Sequence, residues 1–274
     1  MNVKIISFNI SSSNSNIQDD LNTLLNLGAE VYCIQELLQE HMLYVDKIFS
    51  SYQIFICQES FYTQRKGKKL PKLEQYNCIL VKKSLRVVNS NTIEHLHFTK
   101  HPLLYRLTLH SNTSTIESHY IDIELHDMIL RVVNTHLESF TSPSFREKQL
   151  THILENTRYD KTIINSRKSS KPFRVCICGD FNSFASPRIN FLVGYFLQYS
   201  FKDFMIYEKN NLQLFAKNNN LIFHNFNEPT FKKFPLELDG VLYSKELKEN
   251  IDVQILKILT SSDHYIIQVK IDNI

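Results

Sequence analysis

Short runs of β-branched and aromatic residues recur along the whole chain, and they constrain its fold more than any other feature. About eleven of them have the length and composition of β-strands. They cover 3–8, 31–34, 53–57, 77–81, 105–109, 120–125, 129–134, 175–178, 240–243, 253–258 and 265–271. Helical spacing is confined to 17–28, 39–49, 143–159 and 187–199. Many strands with few helices predict an α/β fold, a four-layered sandwich of two packed, mixed, mostly antiparallel sheets flanked by helices.

The length of 274 residues is within the range of one large α/β domain. No Pro-, Gly- or Ser-rich stretch divides the chain, so 1–274 is predicted to be a single domain. Two segments are predicted as loops. One is the lysine-rich 61–73, and the other is the asparagine-rich 208–227, which has room for a short helix.

The five cysteines all lie in apolar, strand-like runs. This placement predicts buried, reduced thiols rather than a disulfide framework, and therefore an intracellular location, cytoplasmic or nuclear. The N-terminus lacks the long apolar run of an export signal, and no run is long enough to span a membrane. Specialised secretion would leave no mark on these features.

Polar residues follow or precede the predicted strands at their ends. They are Asn9, Gln35, Glu36, His136, Asp180, Asn182, Asp239, Asp263 and His264. Each one alone is explained by the preference of Asn, Asp and Gly for turns. If the strand ends meet, however, carboxylates, carboxamides and imidazoles gather at one rim. Hard oxygen ligands suit Mg²⁺ or Mn²⁺, which bind substrate phosphate, whereas Zn²⁺ would recruit Cys or more His.

The order of these residues carries a family resemblance. The motifs are Ser7-Phe8-Asn9, Gln35-Glu36, Asn134-Thr135-His136-Leu137, Gly179-Asp180-Phe181-Asn182, Leu238-Asp239 and Ser262-Asp263-His264. The series resembles the endonuclease/exonuclease/phosphatase superfamily, which includes deoxyribonuclease I and abasic-site endonucleases. It extends from residue 7 to residue 264. The resemblance implies a divalent-metal-dependent enzyme that hydrolyses phosphoesters, with Mg²⁺ as cofactor and Mn²⁺ as an alternative.

The resemblance also implies metal ligands. By similarity, Glu36 is the principal ligand, and Asn9 and Asp263 assist it directly or through water. No motif presents an activated Ser or Cys, so a covalent enzyme intermediate is not required.

Five further residues receive catalytic roles from the same resemblance. Asp180 orients and deprotonates the attacking water, and Asn182 holds that water or a phosphate oxygen. His264 donates to the phosphoryl oxygen while Asp239 fixes its tautomer. His136 faces the phosphate from the other side.

Two residues are predicted to serve the substrate. Glu74 precedes a predicted strand, as does the deoxyribonuclease I glutamate that orients the counterpart of His136. The alternative is an exposed glutamate beside a lysine cluster. Arg106 is a candidate phosphate contact, or else a partner of a site carboxylate.

The substrate is less constrained by sequence than the reaction. Residues 135–139, with a following helix that contains 146–150, resemble the tyrosyl-DNA phosphodiesterase 2 branch, although an ordinary solvated helix face also explains Arg146 and Gln149. The basic segment 65–72 could follow a phosphate backbone, with Phe61 and Tyr62 stacking on bases. Nucleic acid is therefore the leading substrate. The alternatives are a lipid or inositol phosphodiesterase or phosphatase with the same site, and a non-catalytic binding module. No obligate protein partner is evident.

Overall fold

The structure, a computed structural model, describes residues 2–65, 68–95, 117–139, 141–159, 171–183 and 208–272, without the side chains of 60–73 and 158–159. The strands of this part are β1 Val3–Asn9, β2 Val31–Leu38, β3 Tyr52–Arg65, β4 Lys68–Lys82, β5 Arg86–Glu94, β6 Glu117–Glu124, β7 Ile129–His136, β8 Phe173–Asp180, β9 Leu221–Phe223, β10 Asp239–Ser244, β11 Ile251–Leu256 and β12 Ile266–Ile271. The helices are α1 Ile17–Asn26, α2 Met42–Ile48, α3 Pro143–Tyr159 and α4 Glu208–Asn218. Two 3₁₀ turns, Gln39–His41 and Lys245–Asn250, complete it.

The strands form two six-stranded sheets. The first has the order β11-β12-β1-β2-β4-β3, and the second has the order β5-β6-β7-β8-β10-β9. Within the described residues, only β1–β2 and β7–β8 are parallel pairs, and the other neighbours run antiparallel. Parallel partners end at the same edge of a sheet. Asn9 therefore lies beside Gln35 in the first sheet, and His136 lies beside Asp180 in the second.

Three hydrophobic clusters separate four layers. The cluster between the sheets takes residues from both of them, including Ile5, Cys33, Ile79, Val269, Ile121, Val132, Cys178 and Val241. On the outer face of the first sheet, a second cluster packs α1 and α2 through residues such as Leu21 and Val45. A third packs α3 and α4 on the second sheet through residues such as Leu150 and Phe215. The predicted four-layered sandwich is confirmed.

The prediction of a loop at 61–73 is wrong. β3 and β4 continue through this segment as one long hairpin, with Arg65 paired to Lys68. Charged residues do not interrupt a β-ladder, because the backbone alone makes its hydrogen bonds. The strand β5 was also not predicted, because its polar sequence carries the exposed pattern of a sheet edge. The segment 208–227 contains α4 and β9 rather than only loop.

The remaining expectations have mixed outcomes. All five cysteines are free and buried, as predicted. The predicted strand 105–109 and the predicted helix 187–199 lie outside the described residues, as does Arg106. In the part of the chain that the structure describes, no helix has both the length and the apolar character needed to cross a membrane.

Candidate active site

The carboxylate of Asp180 lies at the centre of a cluster where the two sheets meet. Its Oδ2 accepts a hydrogen bond from Asn9 Nδ2 at 3.0 Å. Two imidazoles flank the same oxygen, with His136 Nε2 at 3.6 Å and His264 Nε2 at 3.7 Å. The other oxygen, Oδ1, accepts from the backbone N–H of Asn182 at 2.8 Å. Four residues thus surround one buried carboxylate, and three of them come from other segments of the chain.

Below this cluster, Gln35 and Asn134 connect the sheets. Gln35 Nε2 donates to Asn134 Oδ1 at 2.6 Å. Asn134 Nδ2 donates in turn to the carbonyls of Ile34 and Cys78. Both side chains are fully buried, so a lost partner would leave an unsatisfied polar group in the core. These two motif residues hold the strand ends in register under the site.

The turn that presents Asp180 depends on its glycine. Gly179 has a φ of +146°, and a Cβ there would lie 1.8 Å from the carbonyl oxygen of Thr135 on β7. Only glycine fits so close to a neighbouring strand. Asn182 follows with a φ of +49°, which Asn tolerates better than most residues, and its Nδ2 donates to Leu137 O at 2.8 Å. The Gly-Asp-Phe-Asn sequence therefore fixes the direction of the carboxylate.

His264 is held from two sides. Its Nδ1 lies 3.0 Å from Asp239 Oδ2, as predicted. Ser262 Oγ donates to the Asn9 carbonyl at 2.6 Å and accepts from the His264 N–H, which ties this turn to the end of β1. Burial lowers the pKa of His264, but the charges of Asp239 and Asp180 outweigh it and raise the pKa to about 9. The imidazole is therefore protonated at neutral pH.

His136 is oriented by Glu59, a residue that sequence analysis missed. Glu59 Oε1 lies 2.6 Å from His136 Nδ1, and its Oε2 accepts from the backbone N–H of Glu36. Burial lowers the pKa of His136, but Glu59 and Asp180 together raise it well above its usual value. The assignment of Glu74 to this imidazole is wrong, because the Glu74 carboxylate accepts from the hydroxyl of Tyr76 instead.

The physical reason for this error is a β-bulge. The register of β3 against β4 shifts between Gln58 and Ser60, and Glu59 lies between them. Glu59 therefore departs from the regular alternation of side chains between the two faces of the sheet. A bulge redirects a side chain without a clear sequence signature. The only signal is the interruption of an apolar strand by Gln58-Glu59-Ser60.

The variants Glu59→Gln and Glu74→Gln are expected to differ in activity. Loss of the Glu59 charge should lower kcat by about 10- to 100-fold, as is typical for a residue that orients a catalytic group from behind. The matched change at Glu74, whose carboxylate accepts from the Tyr76 hydroxyl, should leave kcat within about twofold, the usual range for a residue away from the catalytic groups. Steady-state rates on one phosphodiester substrate measure the difference. Equal losses would restore the assignment to Glu74.

Glu36 occupies a strained position on a second bulge. Its φ is +61°, and the register of β2 shifts between Ile34 and Leu37. Such backbone strain clusters at functional sites. Oε1 accepts from Asn9 Nδ2 at 2.9 Å and Oε2 accepts from the Ser12 N–H at 2.8 Å. Burial raises the pKa of Glu36, but His136 and these donors outweigh it, so the net shift is downward and the group is a carboxylate.

These residues fit a hard divalent cation. Among the described residues, no three His, Cys, Asp or Glu side chains form a metal cage. Mg²⁺ does not need one, because it binds through one or two carboxylates together with water and substrate phosphate. Glu36 supplies carboxylate oxygens beside Asp180, and Asn9 turns its Nδ2 towards both carboxylates while its Oδ1 accepts from the Ser11 N–H. Asp263 does not join them, since its Oδ2 pairs with Lys233 Nζ at 2.7 Å.

Comparison with known proteins identifies the architecture. No protein-family model and no curated protein matches this sequence. An endonuclease/exonuclease/phosphatase from Bacteroides vulgatus superposes with a TM-score of 0.64 at 13% identity, over 99% of both chains. The chain has the endonuclease/exonuclease/phosphatase fold. Truncated TDP2 from Caenorhabditis elegans gives 0.61 at 15% identity, over 99% of this chain and 97% of that one. The human Nocturnin catalytic domain gives 0.62 at 16%, over 98% and 92%.

In this endonuclease/exonuclease/phosphatase fold, α3 holds the segment that follows His136. Arg146 makes a two-pronged contact with Glu208 of α4, at 2.8 and 2.9 Å, and donates to the Thr141 carbonyl. Gln149 Oε1 accepts from the Glu138 N–H. Both Arg146 and Gln149 are buried, so the alternative of a solvated helix face is wrong.

Proposed function

We propose that this chain is a Mg²⁺-dependent phosphodiesterase that hydrolyses nucleic acid or a nucleotide-linked phosphoester by direct attack of water. The observation that carries the proposal is the position of Asp180 between two imidazoles and next to the Glu36 carboxylate, with Asn9 Nδ2 donating to both carboxylates. Attack by water at phosphorus needs a base, donors for the phosphoryl oxygens and a site for a hard cation. Each part has a candidate in this cluster.

Asp180 is the proposed base. Burial raises its pKa, and the charges of His136 and His264 offset only part of that shift. A carboxylate with a raised pKa accepts a proton from water more readily than an exposed one. Asn182 steadies it through the backbone N–H on Oδ1. The Asn182 side chain itself donates a hydrogen bond to the Leu137 carbonyl. The proposed role of Asn182 is therefore to position Asp180.

The two histidines are the proposed electrophiles. Each carries a carboxylate on Nδ1, Asp239 for His264 and Glu59 for His136, which directs Nε2 towards Asp180. The pKa of His264 is raised to about 9, which favours the protonated ring at neutral pH, and the charges of Glu59 and Asp180 raise the pKa of His136 as well. Fixed donors stabilise the charge that grows on the phosphoryl oxygens in the transition state.

Glu36 and Asn9 are the residues proposed to hold the cation. Asn9 ends β1, and Glu36 lies on the bulge of β2, the strand that pairs with β1. When bound there, Mg²⁺ supplies positive charge that neutralises the phosphoryl oxygens. Asp263 would join only after leaving Lys233, which makes it the weakest of the three predicted ligands.

One catalytic domain is proposed for residues 1–274. Strands from both ends of the chain share the first sheet, since β1 pairs with β12. The buried free cysteines support a reducing, intracellular location.

A lipid phosphodiesterase is the second candidate, and one observation favours it. Phe234 and Leu259 are 62% and 95% exposed. Phe234 follows Lys232 by two residues, and Leu259 precedes Thr260, to which Lys232 donates two hydrogen bonds. Thr260 is in turn close in sequence to His264. Exposed apolar side chains beside a cation are typical of membrane contact. Nucleic acid remains the first candidate because Lys232 and Lys233 line a cleft together with Ser262 and Asp263, which directly precede His264.

A substrate panel tests the substrate class. The wild-type protein is assayed with an oligonucleotide, a 5′-tyrosyl oligonucleotide, sphingomyelin vesicles and an inositol phosphate, each with Mg²⁺ and with a chelator. We expect Mg²⁺-dependent turnover of a nucleotide substrate. Turnover confined to sphingomyelin or the inositol phosphate would establish the second candidate, and no turnover in any arm would refute the phosphodiesterase.

A further inference from the structure

A cleft next to the proposed active site has no role in the chemistry described so far. Its volume is about 230 Å³, and it is lined by Ser11, Ser13, Lys232, Lys233, Ser261, Ser262 and Asp263. Two residues that line the cleft are close in sequence to site residues. Ser11 follows Asn9 by two residues, and Asp263 precedes His264. A chain bound at Asp180 could therefore continue into it.

Lys232 gives the cleft a fixed positive charge. Its ammonium donates to Thr260 O at 3.1 Å, to Thr260 Oγ1 at 2.7 Å and to Ser262 O at 2.7 Å. These bonds use the three donors of an ammonium group. All three acceptors are neutral oxygens, so the bonds hold the ammonium group in place, and the negative charges that act on it are those of Asp20 and Asp263.

Lys233 is the exchangeable cation of the cleft. It pairs with Asp263 at 2.7 Å, and its side chain is 62% exposed. An ion pair this exposed contributes little free energy, so another anion can displace the carboxylate at small cost. A phosphodiester, which carries one negative charge and two oxygens that accept from an ammonium group, is such an anion.

Hydroxyl groups form another part of the lining. Ser11 Oγ and Ser13 Oγ lie 3.0 Å apart and share one hydrogen bond. Ser11 has a φ of +62° and begins a turn that ends at Asn14. The Asn14 N–H closes this turn by donating to the Ser11 carbonyl. Hydroxyls are good partners for phosphate oxygens. Lysines and hydroxyls together therefore suit a phosphate group.

We propose that this cleft binds a second phosphate of an extended substrate, the phosphodiester next to the scissile one in a single strand of nucleic acid. This proposal rests on the proposed function, which places the scissile phosphate at Asp180. On binding, Lys233 leaves Asp263 and pairs with the phosphate. Lys232 stays in place, and its positive charge attracts the phosphate.

A pair of aromatic rings beside the lysines favours nucleic acid as the occupant. Phe231 and Phe234 stack with centroids 6.3 Å apart and an interplanar angle of 15°. Phe231 also contacts the His264 ring edge-on at 5.1 Å. Phe234 is exposed and Phe231 is partly exposed. A basic groove with an aromatic ring open to stacking is a usual surface for single strands, where phosphates pair with cations and bases stack.

The test compares a long substrate with a minimal one. Lys233→Ala should raise KM for a single-stranded oligonucleotide about 2- to 5-fold, as for the loss of one exposed charge pair. For the p-nitrophenyl ester of thymidine 5′-monophosphate, which has one phosphodiester, KM should stay the same. Lys257→Ala is the matched control, because Lys257 also forms an exposed pair, with Glu228. It should change neither KM.

Binding without turnover separates this proposal from the proposed function. In chelator, fluorescence anisotropy with the labelled oligonucleotide should show weaker binding by Lys233→Ala and tighter binding by Asp263→Asn, which frees Lys233. The slope of log K against log salt should fall by about 0.7 in Lys233→Ala.

Each outcome has a separate meaning. If the wild type hydrolyses the minimal ester but Lys233→Ala binds oligonucleotide as the wild type does, the cleft proposal is wrong and the proposed function stands. If no substrate turns over but binding still depends on Lys233, the cleft stands and the proposed function fails. Binding of phospholipid vesicles, but not of oligonucleotide, through Lys233 would overturn the choice of nucleic acid.

Discussion

The variant Asp180→Asn is expected to lower kcat on any phosphodiester substrate by about 10²- to 10⁴-fold, the usual contribution of a general base. An amide at this position cannot accept the proton from the attacking water. It also removes the negative charge that lies between His136 Nε2 and His264 Nε2. Initial rates at saturating substrate and Mg²⁺ measure the loss.

The control for this variant is Asp252→Asn. Asp252 is on β11, where its carboxylate accepts only an exposed hydrogen bond from Gln254. Its replacement should leave the rate within about twofold, because surface substitutions have small effects. Circular dichroism and thermal unfolding should show an intact fold in both variants. If Asp180→Asn keeps a tenth or more of the wild-type kcat, Asp180 is not the base.

The variant Arg131→Ala should destabilise the fold by about 3–5 kcal/mol, the cost of leaving a buried charge without its partner. Arg131 and Asp122 are both fully buried and form a two-pronged pair at 2.6 and 2.7 Å. The guanidinium also donates to the Thr157 carbonyl of α3 and lies 4.1 Å from the ring centroid of Tyr120. Urea unfolding measures the free energy.

A neighbouring pair supplies the control for Arg131. Arg86 contacts Glu124 at 2.6 Å, but its side chain is 76% exposed. Arg86→Ala should cost less than about 1 kcal/mol, because water screens an exposed pair. The double variant Arg131→Met, Asp122→Leu should recover much of the stability, since no unpaired charge remains. A cost below about 1 kcal/mol for Arg131→Ala would mean that burial does not increase the contribution of this ion pair to stability.

The sequence was informative about the site wherever a strand ends. Asp180 follows an apolar run, and parallel pairing of β7 with β8 places it beside His136. Likewise, Asp239 begins β10 and lies opposite Asp180. Strand ends can be read from local alternation of apolar and polar residues. The gathering of these strand-end residues was therefore predictable from the pattern, whereas their individual roles came from the family resemblance.

Features that depend on register or on partner choice were not predictable. Glu59 reaches His136 only because a bulge redirects it, and the continuation of the β3–β4 hairpin through 61–73 depends on backbone pairing, which side-chain composition does not report. Asp263 was assigned to a metal, yet its carboxylate is paired with Lys233, 30 residues away in sequence. Contacts between distant segments leave no local periodicity.

The most direct test of the proposed reaction is the metal dependence of the wild-type protein on the p-nitrophenyl ester of thymidine 5′-monophosphate. Release of p-nitrophenol is followed while Mg²⁺ is titrated into chelated protein, in parallel with Glu36→Gln. We expect turnover that is absent in chelator, saturates with Mg²⁺, and needs much higher Mg²⁺ in Glu36→Gln. Turnover that is equal with and without chelator, or that responds to Mg²⁺ identically in both proteins, would contradict a Mg²⁺ site at Glu36.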